Sequence, residues 1–198
     1  MLVGVSSAVI TEEQLDTALT YEAMAAIGSG LGSGGYIVLD DETDPTSVTA
    51  GVSRFLAIES CGQCTACKQD GADISRLLAG IAAGVGRRDD LATIDERLQT
   101  VADGARCGLG RQHQTVVGSL VGVFREEITA RLDHDADPLD IELIAELDEI
   151  DDGGAHVDAS FVDKQPDWTY GGPDSGKTPV ERFTDHRAAE MFVEPPSP

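Results

Sequence analysis

The sequence predicts an α+β fold in three parts: residues 1–43 form a small β-containing unit, 44–132 a four-helix bundle, and 133–198 an acidic extension. Three observations predict it. Short β-rich runs give way near Asp44 to an apolar period that is helical. Four cysteines fall at the expected helix connections. Past residue 130 the acidity rises sharply, with eighteen acidic against five basic residues in 131–198.

Leu2 to Ile10 suits a strand or extended segment, and Thr20-Tyr21-Glu22 opens a short helix through Ile27. The glycine-rich run Gly28 to Gly35 predicts a tight turn, followed by a β-rich stretch, Tyr36-Ile37-Val38-Leu39. So small a piece does not complete a sheet by itself. Asp44 with Pro45 is a helix start. Val48, Val52, Phe55 and Leu56 then make one apolar face running into the first cysteines. Ile74, Leu77, Leu78 and Ile81 mark a second helix. Leu91, Ile94, Leu98 and Val101 mark a third, capped by Asp89 or Asp90. Val116, Val117, Leu120, Val121, Phe124 and Ile128 mark a fourth. Four amphipathic helices on short connections predict a bundle. Residues 133–140 are an acidic linker, in which Asp133-His134-Asp135 reads as a solvated hinge. Asp151-Asp152-Gly153-Gly154 predicts a hairpin turn. From Lys164 onward an extended arm carries Trp168, Tyr170, Phe183 and Phe192 and packs on a partner or on the bundle.

Cys61, Cys64 and Cys67 stand three apart, and Cys107 lies in the connection between the third and fourth helices. A C-x2-C-x2-C run with one distant cysteine supplies the four thiolates of a cubane iron–sulfur cluster, one per iron. Two alternatives remain open. Four thiols allow disulfides, but no basic-then-apolar leader opens the chain to suggest an oxidising compartment. Structural zinc normally takes two separated ligand pairs, whereas these cysteines group three plus one, with His113 as a substitute ligand near Cys107.

The chain carries a net charge of −22, yet residues 61–130 are nearly neutral, with eight basic and nine acidic residues. Lys68, Arg106 and Arg111 flank the cysteines, where cations favour the reduced form of an anionic cluster. Such acidity excludes nucleic acid as a partner. No run of eighteen apolar residues exists, so direct membrane insertion is excluded.

Two motifs fail on context. Gly171 to Thr178 fits G-x4-G-K-[ST], but no buried strand precedes it and only twenty residues follow Thr178. Gly30-Leu31-Gly32-Ser33-Gly34-Gly35 fits G-x-G-x-x-G, but it precedes a strand instead of following one. No catalytic constellation is legible, so the chain reads as a redox carrier that catalyses nothing by itself.

Glu59-Ser60-Cys61-Gly62-Gln63-Cys64-Thr65-Ala66-Cys67-Lys68 resembles the E-S-C-G-x-C-x-P-C-R signature of the NADH-binding flavoprotein of bacterial complex I. Components of NAD-linked hydrogenases and formate dehydrogenases share that signature. Gly30 to Asp40 and Phe124-Arg125-Glu126-Glu127 are similar to the same family, and the resemblance covers about residues 4–130. It implies a [4Fe-4S] cluster on Cys61, Cys64, Cys67 and Cys107, and a partial β-grasp unit of the SLBB type in residues 1–43. FMN and NAD are then expected only on a partner flavoprotein or a missing N-terminal domain, with a second iron–sulfur protein as acceptor. The implied location is cytoplasmic, peripheral to the inner face of the membrane through a complex. A metal-stapled docking module without redox activity is the alternative. Ala66 and Lys68 depart from the signature's Pro and Arg.

Overall fold

The computed structural model describes residues 1–132, 136–166 and 168. Its order is mixed, with helices separated from two small antiparallel sheets, an α+β arrangement. Strand β1 (Leu2–Val3) pairs antiparallel with β2 (Tyr36–Ile37), in the register Leu2 to Ile37 and Val3 to Tyr36. The strand expected over Leu2 to Ile10 is only two residues long, because the chain turns at Gly4, whose φ is +51°. Gly32 and Gly34 also take positive φ and bring the chain round into β2. Between the strands lies α1 (Tyr21–Ala26), whose Ala23 N–H donates to Thr20 Oγ1 at 3.2 Å. Val3, Ile10 and Met24 form a small core here. Val9 N–H, donating to Ser119 Oγ at 2.9 Å, ties this unit to the helices.

Helix α2 (Pro45–Ile58) starts where Asp44 and Pro45 predict, with Asp44 Oδ1 accepting from Thr46 N–H at 2.7 Å. It is followed by α3 (Thr65–Ala82) and α4 (Arg88–Thr100). The cap of α4 is Arg87 instead of either aspartate. Asp90, in the first turn, accepts from the Arg87 N–H at 2.7 Å. The fourth helix is interrupted: α5 (Leu109–Gln112), a π-helical turn (His113–Val117), α6 (Gly118–Val123) and α7 (Arg125–Ala130) follow one another. Phe124, at φ −104° and ψ 30°, breaks α6 from α7. One core joins Val52 and Leu56 of α2, Ile74 and Leu78 of α3, Ile94 and Leu98 of α4, and Val116 and Leu120 behind them. Burying side chains of this size contributes about 1.5–3 kcal/mol each before entropy is counted. Among the described residues no helix is long and apolar enough to cross a membrane.

The expected solvated linker is packed from residue 136 onward. Leu139 N–H donates to the Ala82 carbonyl at 2.9 Å. Arg131 donates to the carbonyls of Ala82, at 3.2 Å, and of Asp137. The chain then lies against α2, burying Ile144. Strands β3 (Leu147–Asp151) and β4 (Gly154–Val157) form the hairpin that Asp151-Asp152-Gly153-Gly154 predicts. Asp151 Oδ1 accepts from Gly153 N–H at 2.7 Å in its turn. Just before the arm, Phe161 is buried; within it Lys164 pairs with Glu59 and Trp168 lies under the Lys68 ammonium, while Tyr170, Phe183 and Phe192 lie outside the described residues. The P-loop-like run at 171–178 and Asp133-His134-Asp135 lie outside the described residues.

Candidate iron–sulfur site

Helix α2 ends at Ile58 and α3 begins at Thr65, so the signature becomes a short loop between two packed helices. Cys61 lies in that loop, Cys64 is the N-cap of α3, and Cys67 sits in its first turn. The Cys64 side chain makes no capping bond. A helix start whose first-turn amides are not claimed by a cap favours a negatively charged group. Gly62 bends the loop at φ +73°, a conformation that other residues rarely adopt. Ala66 occupies the first turn of α3, where a proline costs no hydrogen bond, so the departure from the signature leaves the helix start intact.

Cys107 reaches the same end of the bundle through two braces. Buried Asp70, three residues beyond Cys67, accepts from Thr100 Oγ1 at 2.8 Å and pairs with Arg97 at 3.3 Å. Gln114 Nε2 donates to the carbonyls of Leu98 at 2.7 Å and Gln99 at 3.2 Å. Both hold the last turn of α4 and hence the turn that follows it. Gly110 packs so closely that a Cβ there would stand 2.7 Å from the Val101 carbonyl oxygen. Cys107 itself is exposed, whereas the other three cysteines are half-buried.

The other three cysteines all act on Cys67. Burial pushes the Cys67 thiol up from its ordinary value, and the hydrogen bond with Ser60 opposes that. The charges of Cys107, Cys64 and Cys61 push it up further, Cys107 most among them. Ser60 Oγ lies 3.5 Å from Cys67 Sγ and accepts from Gly62 N–H at 3.4 Å. Its part as a brace was not legible, although it stands inside the signature. Among the described residues no three His, Cys, Asp or Glu side chains gather closely enough for one metal ion.

His113 does not join the cysteines. The π-helical turn directs it into the core, where Nε2 lies 3.0 Å from Ser53 Oγ of α2 and the ring rests against Gly71 of α3. Burial lowers its pKa from 6.5 to about 4. Above pH 6.5 the ring is neutral in both the folded and unfolded chains, so it adds no pH dependence there. Below pH 6.5 the unfolded chain takes up a proton that the folded chain refuses, and stability falls as pH falls. Between pH 7 and pH 5 the expected loss is about 2 kcal/mol. Urea unfolding at the two values measures it. His113→Gln should flatten this part of the profile; an unchanged slope would show that other groups cause it.

Lys68 places its ammonium 4.3 Å from the centre of the Trp168 ring. Lys164 pairs with Glu59, the first residue of the signature, at 2.5 Å. Neither Trp168 nor Lys164 could be linked to the cysteines from the sequence, since about a hundred residues separate them.

Three cysteines thus stand around the start of α3, and the fourth lies in the turn before α5, a donor set that could hold an iron–sulfur cluster. The chain's similarities to known proteins are specific. Residues 47–131 match the family model of the NADH-ubiquinone oxidoreductase-F iron–sulfur binding region, and over this region the chain is similar to that family. The HndC component of the NADP-reducing hydrogenase of Solidesulfovibrio fructosivorans is 33% identical over 130 residues, which are 66% of this chain and 26% of that protein. The F component of the NADH-quinone oxidoreductase of Streptomyces coelicolor is 33% identical over 124 residues, 63% of this chain and 28% of that one. Among solved structures, an NAD+-reducing [NiFe]-hydrogenase in the H2-reduced state superposes with a TM-score of 0.58 at 32% identity. The match covers 67% of this chain and 22% of that one. The chain therefore spans about a quarter to a third of the curated relatives it matches. The family implies a [4Fe-4S] cluster.

Proposed function

We propose that this chain is an electron-transfer component of an NADH dehydrogenase-type complex, with Cys61, Cys64, Cys67 and Cys107 as the ligands of a [4Fe-4S] cluster. The observation that carries the reading is the match of residues 47–131, which contain all four cysteines, to the iron–sulfur binding region of the family model. The donor set fits the group. Three thiols from the α2–α3 loop and one from the turn before α5 supply one thiolate for each of four irons.

When bound, a [4Fe-4S] cluster supplies a one-electron carrier. The residues of this chain do the rest. The open amides at the start of α3 and the side chains of Lys68, Arg106 and Arg111 offset anionic charge. Ser60 holds Cys67 in place. In this reading the chain takes single electrons from a reduced flavin on a partner or an adjoining FMN/NADH domain, and passes them to a second iron–sulfur protein. Residues 1–43 are then a partial SLBB-like β-grasp unit, 44–132 the four-helix cluster-binding domain, and 133–198 an addition to the family's pattern. The work is cytoplasmic, with any membrane contact made through the complex.

The test is a potentiometric titration of anaerobically reconstituted protein, followed by visible absorption and EPR. The expected result is a brown protein that reduces with one-electron dependence and develops an EPR signal with dithionite. A colourless protein binding one zinc per chain would overturn the proposal.

A further inference from the structure

The acidic extension lies outside the matched family region, yet it runs along α2 to the cysteine loop. Its contacts follow one stripe of that helix. Ser47 Oγ donates to the Asp140 carbonyl at 2.7 Å and accepts from Glu142 N–H at 2.8 Å. One turn on, Gly51 lies beneath the Glu142 carbonyl. A further turn on, Arg54 donates to the carbonyls of Val162 at 2.8 Å and Lys164 at 3.3 Å. Phe55 stacks on Phe161 with ring centres 5.5 Å apart and planes at 12°. Beyond these, Glu59 pairs with Lys164. The stripe ends on the loop itself: a Cβ at Gly62 would stand 2.5 Å from Trp168 Cδ1. The face of Gly62 is thus filled by indole, and Lys68 closes on the other side of the ring. Trp168 Nε1 is buried and has no hydrogen-bond partner among the described residues.

We infer that residues 158–166 together with Trp168 are a built-in cover for the cysteine loop, and that Trp168 is a positioning residue. It seals the Gly62 side of the loop against solvent and holds the Lys68 charge beside Cys67. The part of this inference that concerns the cluster rests on the proposed function; the cover over the loop does not. Solvent access is one of the properties through which a protein tunes an iron–sulfur centre, and it governs how readily oxidants and chelators reach the iron.

Trp168 is the single tryptophan of the chain, so its fluorescence reports on this contact without mutation. Acrylamide is the suitable quencher, because it is neutral and a chain of charge −22 does not repel it. In the full chain, acrylamide should quench Trp168 severalfold less than it quenches N-acetyltryptophanamide. Loading with iron and sulfide should dim the emission, since a strongly absorbing group would then lie beside the ring. Bleaching of the visible band by air and EDTA should be severalfold faster in Trp168→Ala, and close to wild type in Trp168→Phe, which keeps a ring over Gly62. Quenching equal to that of the free amide, or equal bleaching in wild type and Trp168→Ala, would overturn the inference. The failures are separable. A shielded Trp168 in a chain that assembles no cluster would sink the proposed function and support the cover. A fully exposed Trp168 in a chain that does assemble one would sink the cover alone.

Discussion

Replacing Cys107 with serine is expected to abolish stable binding of iron and sulfide while leaving the helices folded. The two consequences separate because of where Cys107 sits. It is exposed, in the turn between α4 and α5, and takes no part in the hydrophobic core. A surface substitution of this kind changes stability by about 0.5 kcal/mol or less. In the proposed ligand set, however, it is the one thiolate that the α2–α3 loop does not supply. Serine offers a harder, poorly ionised oxygen where the site calls for a thiolate. The visible band and the dithionite-induced EPR signal should therefore disappear, while the circular dichroism of the metal-free chain stays that of wild type. Full iron content in Cys107→Ser would remove Cys107 from the ligand set. Lost helical structure would mean that the residue is a fold determinant instead.

The second large effect is expected at Gly51, and its sign is diagnostic. In an unobstructed helix, glycine to alanine stabilises by up to about 1 kcal/mol. Here a Cβ would press into the carbonyl oxygen and carbon of Glu142 and against Ile144. Backbone cannot give way as a flexible side chain does, so the 139–144 segment has to lift from α2. The two Ser47 bonds and the burial of Ile144 go with it. Gly51→Ala should thus destabilise by about 3 kcal/mol, which lowers Tm by roughly 10 °C in a chain of this size. Gly80→Ala is the control, because a Cβ there meets only Val85 Cγ2, at 4.0 Å. That variant should be more stable than wild type, by up to about 1 kcal/mol. If Gly51→Ala were also stabilising, the extension would not lie on α2 as described.

The helices around the site were legible because their signals are local. Asp44-Pro45 starts α2, and the i, i+3, i+4, i+7 spacing of Ile74, Leu77, Leu78 and Ile81 marks the buried side of α3. The spacing of Cys61, Cys64 and Cys67 is enough to put three thiols around one short loop. What stayed hidden depends on distant pairing. The apolar positions from Val116 to Ile128 satisfy one continuous helix, so nothing in their period marks a π-helical turn or the break at Phe124. His113 read as a spare ligand because it is near Cys107 in sequence. Its ring instead finds Ser53 across the bundle, in the space left by Gly71. The extension read as a hinge and an arm, because acidic, periodless sequence is usually solvated. Its anchors are single residues, Ile144, Phe161, Lys164 and Trp168, each matched to one position on α2 or the cysteine loop. Such pairings leave no periodic trace.

Iron-edge X-ray absorption on the anaerobically reconstituted full chain addresses the central claim most directly. The account predicts iron surrounded by sulfur alone, with a short iron–iron distance and about four irons per chain. Iron bound to oxygen or nitrogen without an iron neighbour, or zinc held tightly in its place, would contradict it.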